Sequence, residues 1–162
     1  MRSGENTLAA ALQKEFACNV IHMDHFFLQP QQRTPERLAE PGGNVDYERF
    51  LSEVLLPLTE SRTFSYRIFD CKCMDFSGEA KVCPNRLTIV EGAYSCHPKF
   101  ADFYDLRIFL DVDHEEQLRR IAKRNGEAAL QTFEERWIPL EEKYFSEYQI
   151  PERCDYIWMN DR

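Results

Sequence analysis

The sequence lacks any long apolar segment. No apolar run approaches the ~20 residues that a membrane-spanning helix needs, and the opening residues MRSGENTLAAAL contain a single Arg and no extended apolar stretch. The first feature argues against a transmembrane helix, and the second argues against a secretory signal peptide. We therefore expect a cytoplasmic protein that has no membrane partner.

Positive charge is also scarce. The chain has 20 Lys and Arg residues against 28 Asp and Glu residues, which gives a net charge of −8. This balance argues against broad binding to nucleic acids, although a local basic patch could still hold phosphates. A hydrophobic content of 43% excludes global disorder, and the length of 162 residues predicts one domain over residues 1–162.

The cysteines do not follow a metal-binding spacing. Neither a CxxC pair nor a zinc-finger arrangement of Cys and His occurs. One alternative is a metal cluster drawn from the cysteines and the histidine of residues 71–97. Because no secretion signal is expected, we expect unlinked thiols instead. The six cysteines are Cys18, Cys71, Cys73, Cys83, Cys96 and Cys154.

Apolar periodicity divides the chain into alternating helices and short strands. Leu8, Leu12 and Phe16 recur at helical spacing, with Thr7 as the expected N-cap. The predicted helices are 7–16, 47–58, 115–125 and 132–148, the last with a kink at Pro139. The predicted strands are 19–23, 64–68, 87–90, 106–110 and 156–159. We expect 25–45 to be a long irregular loop and 70–85 to be an excursion or a hairpin.

This alternation predicts an α/β fold in which a parallel sheet is covered by helices on both faces, in three layers. Ligands bind such sheets outside the carboxyl ends of the strands. Three predicted strands are followed by an acid, namely Asp24, Glu91 and Asp111. A single acid there is often a helix cap or a turn residue. Two or three acids on one rim favour a magnesium site or a general base.

Several segments follow one another in a recognisable order. They are NVIHMDHFF at 19–27, NVDYERF at 44–50, YRIFD at 66–70, LTIVEG at 87–92, and FLDVD at 109–113 ahead of Arg119, Arg120 and Arg124. Together they resemble P-loop kinases of the uridine kinase and phosphoribulokinase group. The resemblance implies a phosphotransferase that uses ATP and Mg²⁺ on a nucleoside-like small molecule, without nucleic acid and compatible with a homo-oligomer.

The resemblance also implies catalytic roles at the rim. Asp24 would be the general base beside a substrate 5′-hydroxyl, and Glu91 would act through Mg²⁺ and its waters. The alternatives are a helix-capping or turn residue for Asp24 and a structural turn before Gly92 for Glu91. For His22 and His25, which flank Asp24, we expect a packing or surface role.

Substrate and phosphate contacts follow from the same resemblance. Asp46 would hold the ribose hydroxyls, Phe69 would stack on a base, and Asp70 would lie beside it in the substrate site. Arg120 and Arg124 lie on one helical face and would converge on the phosphates. The alternatives are a helix N-cap for Asp46, a core aromatic for Phe69, and a solvated basic face paired with nearby acids for the two arginines.

The phosphate-binding loop departs from the family pattern. A working loop reads GxxxxGK[ST] after a buried strand, whereas here Gly4, Glu5, Asn6 and Thr7 take its place. Glu5 then replaces the phosphate lysine and Asn6 the magnesium hydroxyl; in the other alignment, the glycine-lysine pair is deleted. The preceding strand is missing as well, although in the family it lies in the middle of the sheet.

Three explanations are open for this departure. The chain is truncated or altered relative to a parent, it is a degraded relative without kinase activity, or another segment or chain fills the gap. We favour the first, and we expect weak ATP binding in either of the first two. A third class of function is a small α/β phosphatase that uses the Asp111-Val112-Asp113 pair.

Overall fold

The computed structural model describes residues 5–159, in which helices and short strands alternate. The strands are β1 Asn19–His22, β2 Phe64–Asp70, β3 Asp75–Val82, β4 Thr88–Glu91, β5 Ile108–Asp111 and β6 Tyr156–Met159. The α-helices are α1 Glu5–Glu15, α2 Pro35–Ala39, α3 Tyr47–Phe50, α4 Leu56–Thr59, α5 His114–Asn125, α6 Glu127–Thr132, α7 Ile138–Glu147 and α8 Ile150–Arg153. Shorter 3₁₀ helices lie at Met23–Phe26, Pro30–Gln32 and Pro98–Phe103.

The strands pair in three two-stranded sheets within residues 5–159. β1 runs parallel to β4, β5 runs parallel to β6, and β2 forms an antiparallel hairpin with β3. The prediction of parallel strands between helices is therefore confirmed, whereas the described strands do not form one continuous sheet. Of the excursion or hairpin expected at 70–85, the structure shows the hairpin. Met74 takes a positive φ of 57° in its turn.

Two predicted element starts are wrong by a few residues. α1 includes Glu5 and Asn6, so Thr7 lies inside the helix and is not its N-cap; Glu is a better helix former than Thr. The long C-terminal helix begins at Glu127, directly after Gly126. It continues through a π-helical turn at Phe133–Trp137, immediately ahead of Pro139, whose ring and missing N–H disturb regular helical bonding.

The helix predicted at 47–58 is present as three joined pieces. α3 is followed by a π-helical turn at Leu51–Leu55 and then by α4. The loop predicted at 25–45 is better ordered than expected. It holds two 3₁₀ helices and α2, and a bridge between Phe27 and Val45 closes it at its base.

One main hydrophobic core joins elements from β1 to α8. Its most deeply buried members include Ile21, Phe26, Phe50, Phe100 and Tyr144, each at most 1% exposed. A smaller cluster lies between α5 and α7 and contains Ile121, Phe133 and Ile138. The helices of residues 5–159 are all too short or too polar to cross a membrane.

Candidate active site

Two acids and a histidine meet where β1 and β4 end. His22 and Glu91 are register partners at the last positions of these parallel strands, and Nδ1 of His22 is hydrogen-bonded to Oε1 of Glu91. Asp24 follows in the 3₁₀ helix Met23–Phe26 rather than directly at the strand end. Its carboxylate is close enough to Glu91 for their charges to repel. Asp24 and Glu91 therefore share one rim, whereas Asp111 ends β5 in the other parallel pair.

Gly92 lets the two segments of this rim approach each other. Its φ is +133°, and a Cβ built there would lie 2.8 Å from Cβ of Met23. Because Met23 directly precedes Asp24, a side chain at position 92 would push the segment that bears Asp24 away from Glu91. The Glu-Gly pair at the end of β4 thus has a packing reason as well as a chemical one.

Burial dominates the electrostatics of Asp24. Desolvation raises the pKa of its carboxyl group, repulsion from Glu91 raises it further, and the positive charge of Arg124 partly opposes both. The hydrogen bond to Glu91 raises the pKa of His22, whereas burial lowers the pKa of His25. A carboxylate with a raised pKa is a better proton acceptor near neutral pH, which is what a general base requires.

A buried arginine fixes the segment that presents Asp24. Arg49 is 5% exposed, and its guanidinium donates hydrogen bonds to the carbonyl oxygens of His25 and Arg67 at 2.5 and 2.7 Å. It also lies 4.3 Å from the centre of the Phe26 ring. Arg49 therefore ties the 3₁₀ helix of Asp24 to both α3 and β2.

The carboxylate of Asp46 is engaged with protein. Asp46 is 2% exposed, and Oδ1 accepts the backbone N–H of Arg49 at 3.0 Å as the N-cap of α3. Oδ2 accepts Nε2 of Gln32 at 3.0 Å. These bonds agree with the helix-cap alternative, in a buried rather than a solvated form. A ribose contact at Asp46 stays a prediction, and it requires Gln32 to give way.

The hairpin residues predicted to bind substrate also have structural partners. Phe69 is 2% exposed and packs edge-on against Phe76, with ring centres 6.0 Å apart, as expected for a core aromatic. Asp70 closes the turn between β2 and β3, since Oδ1 accepts the N–H of Lys72 and its carbonyl accepts the N–H of Met74, both at 2.8 Å. Base stacking on Phe69 would need the hairpin to move.

The two predicted phosphate arginines differ in their surroundings. Nε of Arg120 donates to Oε1 of Glu116 at 2.5 Å, and hydrogen bonds from Arg119 and Arg120 lower the pKa of Glu116 to about 2. Arg120 is therefore paired with a nearby acid on the helix, which agrees with the alternative to a phosphate-binding role. Arg124 is exposed, hydrogen-bonds to Asn125, and lowers the pKa of Asp24 through its charge. The charge of Arg124 therefore reaches Asp24.

The Asp111-Val112-Asp113 pair serves the start of α5. Oδ1 of Asp113 accepts the N–H of Glu116 at 3.0 Å and caps the helix. Oδ1 of Asp111 accepts the N–H of Val112 at 2.9 Å. Both acids therefore have local structural roles, which a phosphatase nucleophile does not need.

The residues predicted to form the phosphate loop lie at the start of the described part of the chain. Gly4 lies outside residues 5–159, and residues 5–7 are described only as backbone in the first turn of α1. That helix packs against β1 and β4. The predicted roles of Glu5, Asn6 and Thr7 stay predictions.

The rim suits a magnesium ion that is held mainly by phosphates and water. Mg²⁺ usually takes one or two carboxylates, with substrate phosphates and waters completing its shell. Asp24 and Glu91 supply that number of carboxylates. Within residues 5–159, groups of three or more His, Cys, Asp and Glu that could form an all-protein metal cage do not occur.

Comparison with solved structures identifies the fold. A possible uridine kinase from Bacillus stearothermophilus superposes with a TM-score of 0.73 at 19% identity, over 97% of this chain and 83% of that chain. A protein assigned as a fructose transport system kinase from Silicibacter sp. TM1040 gives a TM-score of 0.68 at 24% identity, over 95% and 81%. No protein-family model and no curated protein matches the sequence. The chain therefore shares the fold of these two structures.

Two features of the site are not predicted from the sequence. Arg49 is part of the NVDYERF segment, but the neighbouring residues do not indicate that its side chain is buried and bonded to two other segments. The bond between His22 and Glu91 follows from strand register, because parallel pairing sets the last residues of β1 and β4 side by side. A pairing hypothesis for those two strands would have found it.

Proposed function

We propose that the Asp24–Glu91 rim is the site of ATP-dependent phosphoryl transfer to a hydroxyl group of a nucleoside-like small molecule. The observation that carries the proposal is the meeting of Asp24 and Glu91 at the carboxyl ends of adjacent parallel strands, with the pKa of Asp24 raised. Ligands of parallel α/β sheets generally bind at this end of the strands, which supports the proposal. The two solved structures named above, described as kinases, support the same class of reaction.

Asp24 is the general base of the proposed reaction. It accepts the proton of the substrate hydroxyl as that oxygen attacks the terminal phosphorus of ATP. Arg49 holds the 3₁₀ helix that carries Asp24, and Gly92 sets its distance from Glu91. His22 orients the Glu91 carboxylate through Nδ1. Arg124 contributes positive charge on the side where the phosphates would lie.

Glu91 would hold Mg²⁺ through the ion's waters, which leaves Asp24 as the general base. When bound, the ion neutralises charge on the transferring phosphates.

We further propose that this chain binds ATP weakly. The sequence holds no Gly-Lys pair, so the lysine that attracts the phosphates is absent. If Glu5 occupies its place, two like charges ~4 Å apart at an effective dielectric near 20 repel by roughly 4 kcal/mol before screening. Since ~1.4 kcal/mol is a factor of ten in affinity, even part of this penalty is a large loss.

Two assays test this proposal. Titration calorimetry with Mg-ATP should give a dissociation constant well above the micromolar range, and a micromolar value would contradict the proposed role of Glu5. Steady-state ATP consumption with and without a panel of nucleosides should show a dependence on nucleoside. Phosphate release from a generic ester without ATP would instead support the phosphatase.

The second candidate is a catalytically silent domain that binds a nucleotide or a partner. The engaged carboxylate of Asp46 and the missing lysine favour it. It predicts nucleotide or nucleoside binding with no ATP consumption under any condition. Asp24→Asn would then leave binding unchanged, whereas the kinase proposal predicts a loss of turnover.

A further inference from the structure

Two cysteines far apart in the sequence meet in the fold. Sγ of Cys154 lies 3.9 Å from Sγ of Cys96, across 58 residues of chain. Cys96 follows β4 in the loop that leads to Pro98–Phe103, and Cys154 ends α8 just before β6. We propose that Cys96 and Cys154 form a redox-active dithiol, which a hydroperoxide converts into a disulfide that joins the segment after β4 to the segment before β6.

Hydrogen bonds of neighbouring residues anchor the two chain segments that carry the thiols. The hydroxyl of Tyr104 donates to the carbonyl oxygen of Ser95 at 2.9 Å and anchors the loop beside Cys96. On the other side, the N–H of Arg107 donates to the side chain of Asp155 at 2.7 Å, next to Cys154. Disulfide sulfurs lie about 2.05 Å apart. The two sulfurs therefore need to approach by roughly 2 Å to form the bond.

The two thiols differ in acidity in a way that suits this chemistry. The hydrogen bond from Cys154 lowers the pKa of Cys96, and the positive charge of Arg107 acts in the same direction against the opposing effect of burial. The same hydrogen bond raises the pKa of Cys154. Because the thiolate is the nucleophile, Cys96 is the attacking sulfur and Cys154 the resolving one.

The reaction balances with one hydroperoxide. The Cys96 thiolate attacks the peroxide, the O–O bond breaks, and the departing alkoxide or hydroxide takes up a proton, which leaves a sulfenic acid. The sulfur of Cys154 then attacks the sulfur of Cys96, its proton leaves with the hydroxyl group as water, and the S–S bond forms. Two thiols and one hydroperoxide give one disulfide, one alcohol or water, and one further water.

The bond would connect two parts of the fold that the described strands leave unjoined. β1 pairs only with β4 and β5 only with β6 among the strands of residues 5–159. A disulfide from Cys96 to Cys154 would close a long loop and restrict the unfolded chain, which stabilises the folded state. It would also hold the start of β6, whose side chains are all exposed.

The test uses the full chain with Cys71, Cys73 and Cys83 replaced by Ser, since these three thiols are exposed. The protein is treated with hydrogen peroxide, alkylated and digested for mass spectrometry. We expect a linked pair of peptides containing Cys96 and Cys154, reversed by dithiothreitol, and a thermal unfolding midpoint several degrees above that of the reduced protein. In a matched Cys154→Ser variant, dimedone should trap Cys96 as its sulfenic acid.

Other outcomes would overturn the proposal. Full alkylation of both cysteines after a peroxide treatment that oxidises the methionines would show that the pair is inert. A link from Cys18 to either of them would show that the pairing is wrong. An unchanged unfolding midpoint in protein shown to carry the bond would remove the proposed link between the two parts of the fold.

Discussion

The two parallel strand pairs of this protein differ in how their side chains are covered. β1 and β4 consist of buried and half-buried residues that pack against α1 and the main core. β6 is exposed throughout, with Trp158 66% and Ile157 54% exposed. Because alternate side chains point to opposite faces of a strand, both faces of β6 are open in the described part of the chain.

This difference assigns separate roles to the two pairs. The covered pair carries Glu91 and leads into Asp24, so its ends are held rigidly enough to position chemistry. In the other pair, β5 places Phe109 in the main core, and β6 is joined to β5 by backbone hydrogen bonds. Segments with few buried contacts open first in native proteins. We therefore expect the amides of β6 to exchange with solvent before those of β1.

The largest difference between the two regions should come from Phe100 and Trp158. Phe100 is fully buried and packs against Phe50, whereas Trp158 is mostly exposed. Phe100→Ala should lower the free energy of unfolding by about 3–5 kcal/mol, and Trp158→Ala should change it by less than about 1 kcal/mol. Urea denaturation measures both. Equal losses would show that β6 is covered after all and would end the comparison.

Arg49 and Arg67 form a second matched pair. Arg49 is buried between carboxylates, and its side chain is 5% exposed, against 48% for Arg67. Arg49→Met should cost about 3–5 kcal/mol because it leaves Asp46 buried without its cation. Arg67→Met breaks a surface pair with Glu53 and should cost about 1 kcal/mol or less. A similar cost for both in chemical denaturation would contradict the role assigned to Arg49.

Acid should weaken the covered region through His97. This residue is 3% exposed and stacks on Tyr47, and burial with the charge of Lys99 lowers its pKa to about 4. The unfolded chain therefore binds the proton more strongly, so stability is complete above about pH 6.5 and falls as the pH drops towards 4. The loss is at most roughly 3 kcal/mol.

His97→Gln isolates this effect from the other groups. Burial raises the pKa of Asp24. The proton on Asp24 therefore stabilises the folded state at low pH, and this stabilisation is lost as the pH rises through the raised pKa. The pH dependence from Asp24 is thus opposite to that from His97. Thermal unfolding from pH 4 to 7 should show a shallower acid loss in the variant than in the parent chain. An unchanged slope would show that the pKa of His97 is not lowered in the folded protein.

Gly92 should give a moderate effect on stability and a local effect on the site. Ala at this position meets both a φ of +133° and the Cβ of Met23 at 2.8 Å. We expect Gly92→Ala to cost about 1–3 kcal/mol and to change the environment of His22 and Asp24. The ring resonances of His22 report this in NMR, with Gly78→Ala as the control, since a Cβ there meets nothing within 4 Å. Unshifted His22 resonances would show that a side chain at position 92 does not change the spacing between Asp24 and Glu91.

The sequence predicts the local elements better than their assembly. The apolar runs of β1, β4 and β6 are found within one or two residues because a short apolar run bounded by polar residues shows directly in the sequence, whether or not the strand is buried. The pairing of those strands is set by contacts far apart in the chain. The single continuous sheet was therefore expected from alternation alone and is not formed by the described strands.

The candidate site divides in the same way. The position of Glu91 at a strand end follows from an apolar run that stops at an acid. Whether a carboxylate is open or engaged depends on partners such as Gln32 for Asp46, which no local pattern reveals. The same holds for Phe69, because an aromatic residue in the sequence is equally compatible with stacking on a base and with a buried core position, and only the structure shows that it is buried.

Turnover by a loop-restored protein tests the central claim most directly. A strand and a GxxxxGK[ST] loop are placed ahead of α1, Mg-ATP binding is confirmed by calorimetry, and nucleoside monophosphate formation is followed by mass spectrometry. We expect product with Asp24 present and a ~10²–10⁴-fold lower rate in the Asp24→Asn variant, with unchanged folding. Equal rates in the two proteins, or bound Mg-ATP with no product in either, would contradict a phosphoryl-transfer site at the Asp24–Glu91 rim.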